Sequence, residues 1–522
     1  MKKNSLTSAI IAGVAGVAGL AGVANAVNLN PDGVGQVLLY PYYTVNADQS
    51  TLVTVVNTAD VAKAVKVRFL ESLNSAEVLD FNLYLSAHDV WTGEVYLDNG
   101  VPGMLTTDKS CISPRNLTNV FEPFRDYEFT YWRPDLLGRS VSPLNLARQF
   151  QGHIEIIEMG DLGGDVASAV THINGTPRNC ALVRNYWAEG GTWTLEAGAG
   201  GKGLTDVYPP GSGYIDNGQV AFNENGGPGG IYGSGVIVNV AEGTSYGYNA
   251  YAINGFYTLD ENLHYAPGSI SPNLGQAETA LGEATATVFD AAGTAYNFTF
   301  ESGSVSSAPA AVSAVLSARY IANDYVAIPG FASSDWVVTF PTKRLHTYRP
   351  IGSPEVAPFT NAQGVGSNGS AGTNVFEGSW PEVIEVQYWD QEEGTPIAPV
   401  TPGDVSPLPP PTEPTVLAFR QEANVFSFAP HGVAAGTATP VLGTPLNVGG
   451  TVLELEDGFQ AGWARIGFGN QLSDGNNTIV GLPVIGFWAA KFINGNVGGA
   501  LANYTFTHPH RVAREIGSAA GN

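Results

Sequence analysis

Alternation of apolar and polar residues with a period of two constrains this chain's fold more than any other feature. Val65-Lys66-Val67-Arg68-Phe69 alternates apolar and charged side chains, and Leu79 to Ser86 alternates with only Tyr84 on its polar side. Successive side chains of a strand point to opposite faces, so these patterns predict half-buried strands in a sheet with one solvated face. Similar segments recur at 37–43, 52–56, 90–97, 153–157, 236–240, 294–300, 336–340, 383–388, 416–419, 425–428, 451–455 and 462–468. They predict a mainly β protein of two or three β-sandwich domains, immunoglobulin-like or jelly-roll-like, with few short helices.

The chain of 522 residues exceeds the size of a single ordinary core, which predicts several domains. One helix is predicted from Ala310 to about Asp324, where Val312, Val315, Leu316 and Tyr320 recur at helical spacing. Gly-rich and Pro-rich stretches interrupt the strand pattern and predict loops or linkers. The predicted division is a signal peptide at 1–26, an N-terminal β-sandwich domain at 27–189, a Gly-rich loop region at 190–235, a middle β domain with one helix at 236–395, a Pro-rich linker or loop at 396–415 and a C-terminal β segment at 416–522.

The N-terminus has the order of a secretory signal. Lys2 and Lys3 precede an apolar run at 9–23, and Ala24-Asn25-Ala26 closes it, which predicts cleavage after Ala26. A membrane anchor needs about 20 strongly apolar residues, whereas this run is short and rich in Gly and Ala. No second long apolar stretch follows, so no transmembrane segment is expected in the mature protein. We expect a secreted or cell-surface protein, with the periplasm as the alternative location.

Charge and cysteine content agree with export. Loss of the signal segment removes two of the 23 basic residues and none of the 47 acidic ones, which brings the net charge from −24 to −26. A surface of this sign repels nucleic acid and anionic lipid, so nucleic-acid binding is not expected. Cys111 and Cys180 are the two cysteines, and an even number in an exported chain predicts a disulfide. A catalytic thiol or a soft metal ligand is the alternative.

Nucleotide and hydrolase motifs occur without their structural context. Gly198 to Gly203 and Gly364 to Gly369 both match G-x-G-x-x-G, but no helix pattern follows either of them. Gly243-Thr244-Ser245-Tyr246-Gly247 matches the G-x-S-x-G elbow, yet the residues after it are poor helix formers. Ser245 therefore stays a candidate nucleophile, and His264, His346 and His431 lie downstream as candidate bases that nothing in the sequence pairs with Ser245. No catalytic residue and no cofactor is predicted.

Metal and carboxylate chemistry have similarly weak support. His508-Pro509-His510 is the one place where two histidines come together, and a zinc or copper site needs further ligands. Glycoside hydrolysis needs paired carboxylates, for which the candidates are Glu155, Glu158, Asp390, Glu392 and Glu393. Asp32-Gly33 and Asp474-Gly475 resemble parts of calcium loops but fit turns better. Calcium bound by irregular loops stays open. Aromatic segments at 40–43, 127–132, 187, 193 and 246–257 offer ring faces to sugars or to a partner protein, although packing explains most of them.

Several segments carry a resemblance to a known group of proteins. They are VGQVLLYPYYT from Val34, DFNLYLSAHDVW from Asp80, WVVTFPTKR from Trp336 and the segment that begins GLPVIGF at Gly481. The chain resembles an uncharacterised family of exported proteobacterial proteins over nearly the whole mature length. The resemblance implies export and a bacterial envelope setting, and it implies no catalytic residue.

Three functional hypotheses follow from these observations. The first is a secreted or cell-surface structural protein that self-assembles into a coat, filament or matrix, because edge strands can pair between subunits. The second is an extracellular module that binds glycans or another surface through the Gly-rich and aromatic loops between Gly190 and Tyr257. The third is an exported hydrolase that acts through paired carboxylates or Ser245. The first two predict self-association, other surface components or glycans as partners.

Overall fold

The computed structural model of the chain describes residues 26–126, 146–187, 220–221, 229–256, 263–277, 283–301, 307–347, 349–350, 357–359, 364–365, 382–396, 415–433, 441–445 and 449–518. These residues form a mainly β structure of antiparallel sheets with four short α-helices, which confirms the predicted fold class. The signal segment up to Asn25 lies outside the described residues, as do most of the Gly-rich region and residues 397–414 of the Pro-rich segment.

Strands of three or more residues account for most of this structure. In chain order they are β1 (Asn28–Asn30), β2 (Val37–Thr44), β3 (Ser50–Asn57), β4 (Ala62–Glu71), β5 (Glu77–Leu85), β6 (Val90–Asp98), β7 (Val101–Leu105), β8 (Cys111–Ser113), β9 (Gln151–Leu162), β10 (Ile231–Asn239), β11 (Thr244–Asn249), β12 (Tyr251–Asn254), β13 (Glu283–Phe289), β14 (Ala295–Glu301), β15 (Tyr320–Ile328), β16 (Ala332–Thr339), β17 (Glu382–Asp390), β18 (Thr415–Phe419), β19 (Ala423–Ala429), β20 (Gly450–Glu454), β21 (Ala461–Gly467), β22 (Gln471–Ser473), β23 (Asn477–Val480), β24 (Ile485–Phe492), β25 (Tyr504–Pro509), β26 (Arg511–Ala513) and β27 (Glu515–Ser518). The helices are α1 (Gly164–Val170), α2 (Cys180–Trp187), α3 (Ser307–Leu316) and α4 (Lys343–Thr347).

Two sheets face each other in the first sandwich. Sheet A has the order β1-β12-β2-β9-β4-β5-β8, and sheet B has the order β11-β10-β3-β6-β7. The apolar set of β4, Val65, Val67 and Phe69, shares one core with Val53, Val55 and Trp91 of sheet B. The apolar residues of the period-two pattern therefore lie on a buried face of sheet A, as the sequence predicts.

The opposite face of sheet A is also buried, in contrast to the solvated face that the alternation predicts. Lys66 and Arg68 are almost fully inaccessible to solvent. The segment 263–277 covers this face, and Lys66 Nζ donates to the carbonyl oxygen of Ala266 at 3.0 Å. Lys66 also pairs with Asp80 at 2.5 Å, so its charge is compensated inside the protein. Charged residues that alternate with apolar ones do not by themselves identify a solvated face.

Strand pairing crosses the predicted boundary between residues 235 and 236. β10 pairs with β3 over Ile231 to Val238, and β12 pairs with β2 and with β1. The sheets therefore place residues 231–254 with the N-terminal segment, because these strands complete both sheets of its sandwich. Residues 236–254 are close in sequence to the middle segment, but sequence proximity does not predict pairing with strands about 180 or more positions away.

A second sandwich contains sheets C and D. Sheet C has the order β18-β17-β21-β15-β26, and sheet D has the order β20-β19-β16-β24-β25. The β15–β16 hairpin connects the two sheets through the pairs Ala327↔Ser333 and Ile328↔Ala332. Trp336, Phe426 and Phe428 of sheet D pack against Tyr325 and Ile466 of sheet C in a common core. On the outer face of sheet C, the described side chains of Glu385, Trp463 and Arg511 are exposed.

Helix α3 is shorter than predicted. It ends at Leu316, and the chain continues as a strand from Tyr320 instead of remaining helical to Asp324. Every residue from Ala308 to Leu316 is buried, against the β13–β14 hairpin and neighbouring elements. Ile321 and Tyr325 point into the core of the second sandwich, and the strand that contains them, β15, pairs with β21. Tertiary packing therefore determines where the helix ends.

Candidate functional site

The outer face of sheet C carries an aromatic and polar surface. On β17, Ile384, Val386 and Tyr388 point into the core, so Gln387 and Trp389 point outward. On β21, Ala464 and Ile466 are buried, and Trp463 and Arg465 take the outward positions. Tyr320 of β15 lies on the same face, because it is opposite Gly467 of β21. We call Tyr320, Gln387, Trp389, Trp463 and Arg465 the aromatic platform.

Two indole rings form the centre of the platform. Trp389 and Trp463 are directly opposite each other in the β17–β21 pair, and their rings stack with centroids 4.1 Å apart and planes 10° apart. A stacked aromatic pair contributes about 0.5–1.5 kcal/mol beyond its buried area. Trp463 nevertheless remains 42% exposed. One large apolar ring is therefore held in a fixed position at the protein surface.

Arg465 is fixed beside these rings. Its guanidinium carbon lies 5.5 Å from the ring centroid of Trp389 and 5.5 Å from that of Tyr320. Its Nε donates to Gln387 Oε1 at 2.6 Å. Cation–π attraction and this hydrogen bond leave the terminal nitrogens of the guanidinium without a protein partner among the described residues. Arg465 therefore offers oriented N–H donors next to exposed ring faces.

Two carboxylates lie at the border of the platform. Asp324 is opposite Trp463 in the β15–β21 pair, and Glu385 is opposite Gly467 in the β17–β21 pair. Both side chains are exposed, and neither carboxylate makes a hydrogen bond or an ion pair with a residue that the structure describes. Aromatic faces with free donors and acceptors around them match a sugar ring, which has apolar C–H faces and a rim of hydroxyls.

A cavity of about 410 Å³ lies where β11 and β12 meet β24 and β25. Tyr248, Tyr251 and Phe487 line it, and the rings of Tyr248 and Phe487 stack with centroids 4.9 Å apart. The hydroxyl of Tyr251 donates to the carbonyl oxygen of Gly486 at 2.9 Å, and that of Tyr248 donates to the carbonyl oxygen of Tyr42. The lining includes no Asp, Glu, Lys or Arg. This cavity offers apolar ring surface and no acid–base pair.

Ser245 lies in a strand rather than at an elbow. It is an exposed residue of β11 opposite Val238, and its carbonyl oxygen accepts a hydrogen bond from Thr505 Oγ1 at 2.6 Å. The strand continues to Asn249 where the elbow motif requires a helix. The candidate bases lie in other environments: His264 contacts Tyr84, His346 contacts Ser313 and His431 lies 3.8 Å from Glu454. Burial lowers the pKa of His264 to about 3.

The candidate carboxylates are structural or exposed. Glu155 pairs with Arg68 at 2.5 Å, and Glu158 pairs with Lys63 at 2.7 Å. Burial raises the pKa of Glu158 to about 7 although Lys63 opposes the shift. Asp390 accepts the backbone N–H of Glu392 at 3.0 Å within a turn, and Glu392 and Glu393 are exposed. Ion pairing and turn formation account for these groups.

The His508 and His510 side chains have separate partners. His508 stacks on Trp488, whereas Nε2 of the buried His510 lies 2.9 Å from the carbonyl oxygen of Val337. Within the described ranges, no group of three or more Asp, Glu, His or Cys side chains is arranged to hold a metal ion. Asp474 accepts the backbone N–H groups of Asn476 and Asn477, which confirms a turn at Asp474-Gly475.

The predicted disulfide is confirmed. Cys111 of β8 and Cys180 of α2 are bonded, with Cα atoms 5.1 Å apart. The glycine motif at 198–203 lies outside the described residues, and of the motif at 364–369 only Gly364–Val365 is described, as a two-residue strand. Ala26 is buried at the start of the described chain. Cleavage after it stays a prediction.

The aromatic segments that were candidates for binding sugars or a partner do not include the platform residues. Tyr40, Tyr42, Tyr43 and Trp187 are buried. The loop residues 190–219 lie outside the described part of the chain. The signal for the aromatic platform was present in the strand patterns: Gln387-Tyr388-Trp389 and Trp463-Ala464-Arg465 each place two large polar or aromatic groups on one strand face. When every second residue of a strand is apolar and points into the core, a Trp at a position between them lies on the outer face and indicates a surface site.

Comparison of the chain with protein-family models, with curated proteins and with solved structures gives no match. Within the described residues, the helices are too short and not apolar enough for any of them to cross a membrane.

Proposed function

We propose that this protein binds a polysaccharide outside the cytoplasm through the aromatic platform. The stacked Trp389–Trp463 pair supports this function, because it holds an indole face at the surface while the sequence neighbours Tyr388 and Ala464 point into the core. Arg465, Asp324 and Glu385 supply the donors and acceptors that sugar hydroxyls need. The protein acts as a binding module rather than as a catalyst, because these groups include no paired acid and base.

Export supports the same proposal. The disulfide between Cys111 and Cys180 suits an oxidising compartment. The N-terminal sequence has the order of a secretory signal, and the mature surface is rich in neutral polar residues. We place the protein at the cell surface or in secreted form, where polysaccharides are abundant.

The test compares two exposed aromatic residues on different sheets. Trp463→Ala removes the exposed indole of the platform, and Tyr232→Ala removes a ring of similar exposure on β10 of sheet B. We expect wild type and Tyr232→Ala to bind the same members of a panel of bacterial and plant polysaccharides in affinity electrophoresis. Trp463→Ala is expected to lose about tenfold in affinity, since an aromatic contact contributes about 0.5–1.5 kcal/mol beyond the apolar area that it buries. Equal binding by all three proteins, or no binding by wild type, contradicts the proposal.

Self-association is a second candidate function, and the end of sheet D favours it. β25 pairs with β24 on one edge, and towards β11 it makes side-chain hydrogen bonds such as Thr505 Oγ1 to the Ser245 carbonyl instead of a strand ladder. Exposed apolar side chains gather around this strand: Phe331, Ile493, Val497, Leu501, Tyr504 and Phe506. Phe492 connects them, with ring centroids 6.0 Å from Phe331 and 5.8 Å from Phe506. A patch of exposed apolar side chains on and beside a strand at the end of a sheet is a common place of assembly.

Sedimentation velocity over a hundredfold concentration range tests this second function. We expect wild type to sediment faster as its concentration rises, and Tyr504→Glu to remain monomeric because a carboxylate cannot be buried in an apolar contact. Glu242 is exposed at the same end, so Glu242→Gln serves as a charge control. A wild type that is monomeric at all concentrations contradicts self-association and leaves the polysaccharide proposal untouched.

A further inference from the structure

On the outer face of sheet C, beside the aromatic platform, the small residue Ala322 lies between two arginines, and we call the surface over Ala322 the gap. Across four neighbouring strands, one row of outward residues reads Gln387, Arg465, Ala322 and Arg511. Ala322 has a one-carbon side chain, the smallest in this row, and it lies between the two arginines. Neighbouring strands are about 4.8 Å apart, which places the Arg465 and Arg511 backbones about 10 Å from each other.

Both arginines have unused donors. Arg511 is exposed and makes no hydrogen bond or ion pair with any residue that the structure describes. Arg465 uses Nε for Gln387 and has no carboxylate partner in the described chain. Among the described residues, Lys63, Arg68, Arg148 and Lys491 pair with carboxylates. Arg465 and Arg511 do not, so two guanidinium groups on one strand row keep N–H donors for a ligand.

The other neighbours of the gap suit a sugar rather than a simple anion. Trp463 and Asp324 form the next row along β21 and β15, and Tyr320 occupies the row on the other side of Ala322. The ring of Trp463 provides an apolar wall, and the carboxylate of Asp324 can accept hydrogen bonds from hydroxyl groups. A ligand that fills this gap needs an anionic group for the arginines and hydroxyls for Asp324.

We propose that the gap over Ala322 binds a uronic acid residue of an acidic polysaccharide. Arg465 and Arg511 bind its carboxylate, Trp463 packs against the pyranose ring, and Asp324 accepts a hydrogen bond from a hydroxyl group. Guanidinium groups bind carboxylates through paired N–H donors, which gives this contact its directional preference. The inference rests on the proposed polysaccharide function and names the class of sugar that the platform takes.

The experiment compares acid and ester forms of the same sugars by isothermal titration. The probes are oligogalacturonate, oligomannuronate and oligoglucuronate, each beside its methyl ester, which keeps the ring and removes the charge. We expect the protein to bind at least one acid form about tenfold or more tightly than its ester, because a charge-assisted hydrogen bond exceeds a neutral one by about that factor. Arg511→Ala is expected to remove this preference, and Arg511→Lys to restore part of it.

Arg178→Ala is the matched control, because Arg178 is an exposed arginine on the first sandwich whose side chain contacts Ser168. It is expected to keep the preference for the acid form. Equal affinity for acid and ester, or a preference that survives Arg511→Ala, overturns the inference while the polysaccharide function stands. Binding of neutral polysaccharides without binding of any uronate overturns it as well. Failure to bind every polysaccharide removes both proposals.

Discussion

Glu422 is a buried carboxylate at the contact between the two sandwiches. Its side chain accepts a hydrogen bond from Ser75 Oγ, and its backbone N–H donates to the carbonyl oxygen of Ser72 at 2.9 Å. Burial raises the pKa of Glu422 to about 8, although Ser75, Lys343 and Arg344 oppose the shift. Glu71 nearby adds to the increase. A carboxyl with a raised pKa connects the stability of this contact to pH.

The Glu422→Gln variant tests that connection. The folded protein holds a proton on Glu422 up to a pKa of about 8, whereas the unfolded chain releases it near 4.5. The stability contributed by this proton is thus fully present below pH 4.5 and is lost as the pH rises through 8. Because Gln resembles the protonated carboxyl, we expect the melting temperature of Glu422→Gln to match wild type at pH 4.5 and to exceed it at pH 8.5. A constant difference between the two proteins across this range contradicts the assignment.

Single residues also show where sequence reasoning ends. The positions of Val65, Val67 and Phe69 in the core follow from alternation alone. The burial of Lys66 and Arg68 does not, because it depends on the segment 263–277, nearly 200 residues away, and on Asp80 and Glu155 across the sheet. The sequence also predicts that Trp463 and Arg465 lie on one face of their strand, because they alternate with apolar residues. Their contact with Trp389 and Tyr320 depends on the strand order of sheet C, which the sequence does not reveal.

Local sequence patterns predict whether an element is a helix or a strand better than they predict where the element begins and ends. A strand was predicted at 236–240 and β10 extends from Ile231, while the helix predicted to Asp324 ends at Leu316. Apolar spacing is similar in the buried helix α3 and in the start of β15, so periodicity alone does not locate the transition. Pairing of β15 with β21 and β26 determines it.

The disulfide connects two elements, β8 at the edge of sheet A and α2. Trp187 Nε1 at the end of α2 also donates to the hydroxyl of Tyr84 at 2.8 Å. The bond closes a loop with a sequence separation of 69 residues, for which the chain-entropy model gives about 4 kcal/mol. We expect reduction to lower the free energy of unfolding by up to about 4 kcal/mol in guanidinium titrations.

The double variant Cys111→Ala/Cys180→Ala controls for other effects of the reductant. Its unfolding free energy is expected to equal that of reduced wild type and to be the same with and without reductant. A reductant effect of similar size on both proteins would show that the loss arises elsewhere than at this bond.

The whole molecule has cores that cross the predicted domain boundaries. Tyr42 of β2 belongs to the same apolar cluster as Val337 of β16 and Phe487 of β24. Hydrogen bonds reinforce this contact between the sandwiches: Tyr42 OH lies 2.8 Å from Thr444 Oγ1, and Thr339 Oγ1 donates to the carbonyl oxygen of Pro41 at 2.6 Å. Composition along the chain does not reveal such contacts, because these hydrogen bonds join residues 298 and 402 positions apart.

A continuous core predicts that the two sandwiches unfold together. Hydrogen exchange of β4 and of β16 is expected to report the same opening free energy and the same denaturant dependence. Phe487→Ala is expected to reduce both opening free energies equally, by about 3–5 kcal/mol, since Phe487 packs in the shared cluster. Val497→Ala, at an exposed position, is expected to reduce neither. Faster exchange in β16 with unchanged exchange in β4 would mean that the sandwiches are separate cooperative units, and the Tyr42–Val337–Phe487 contact would then be only a docking surface between them.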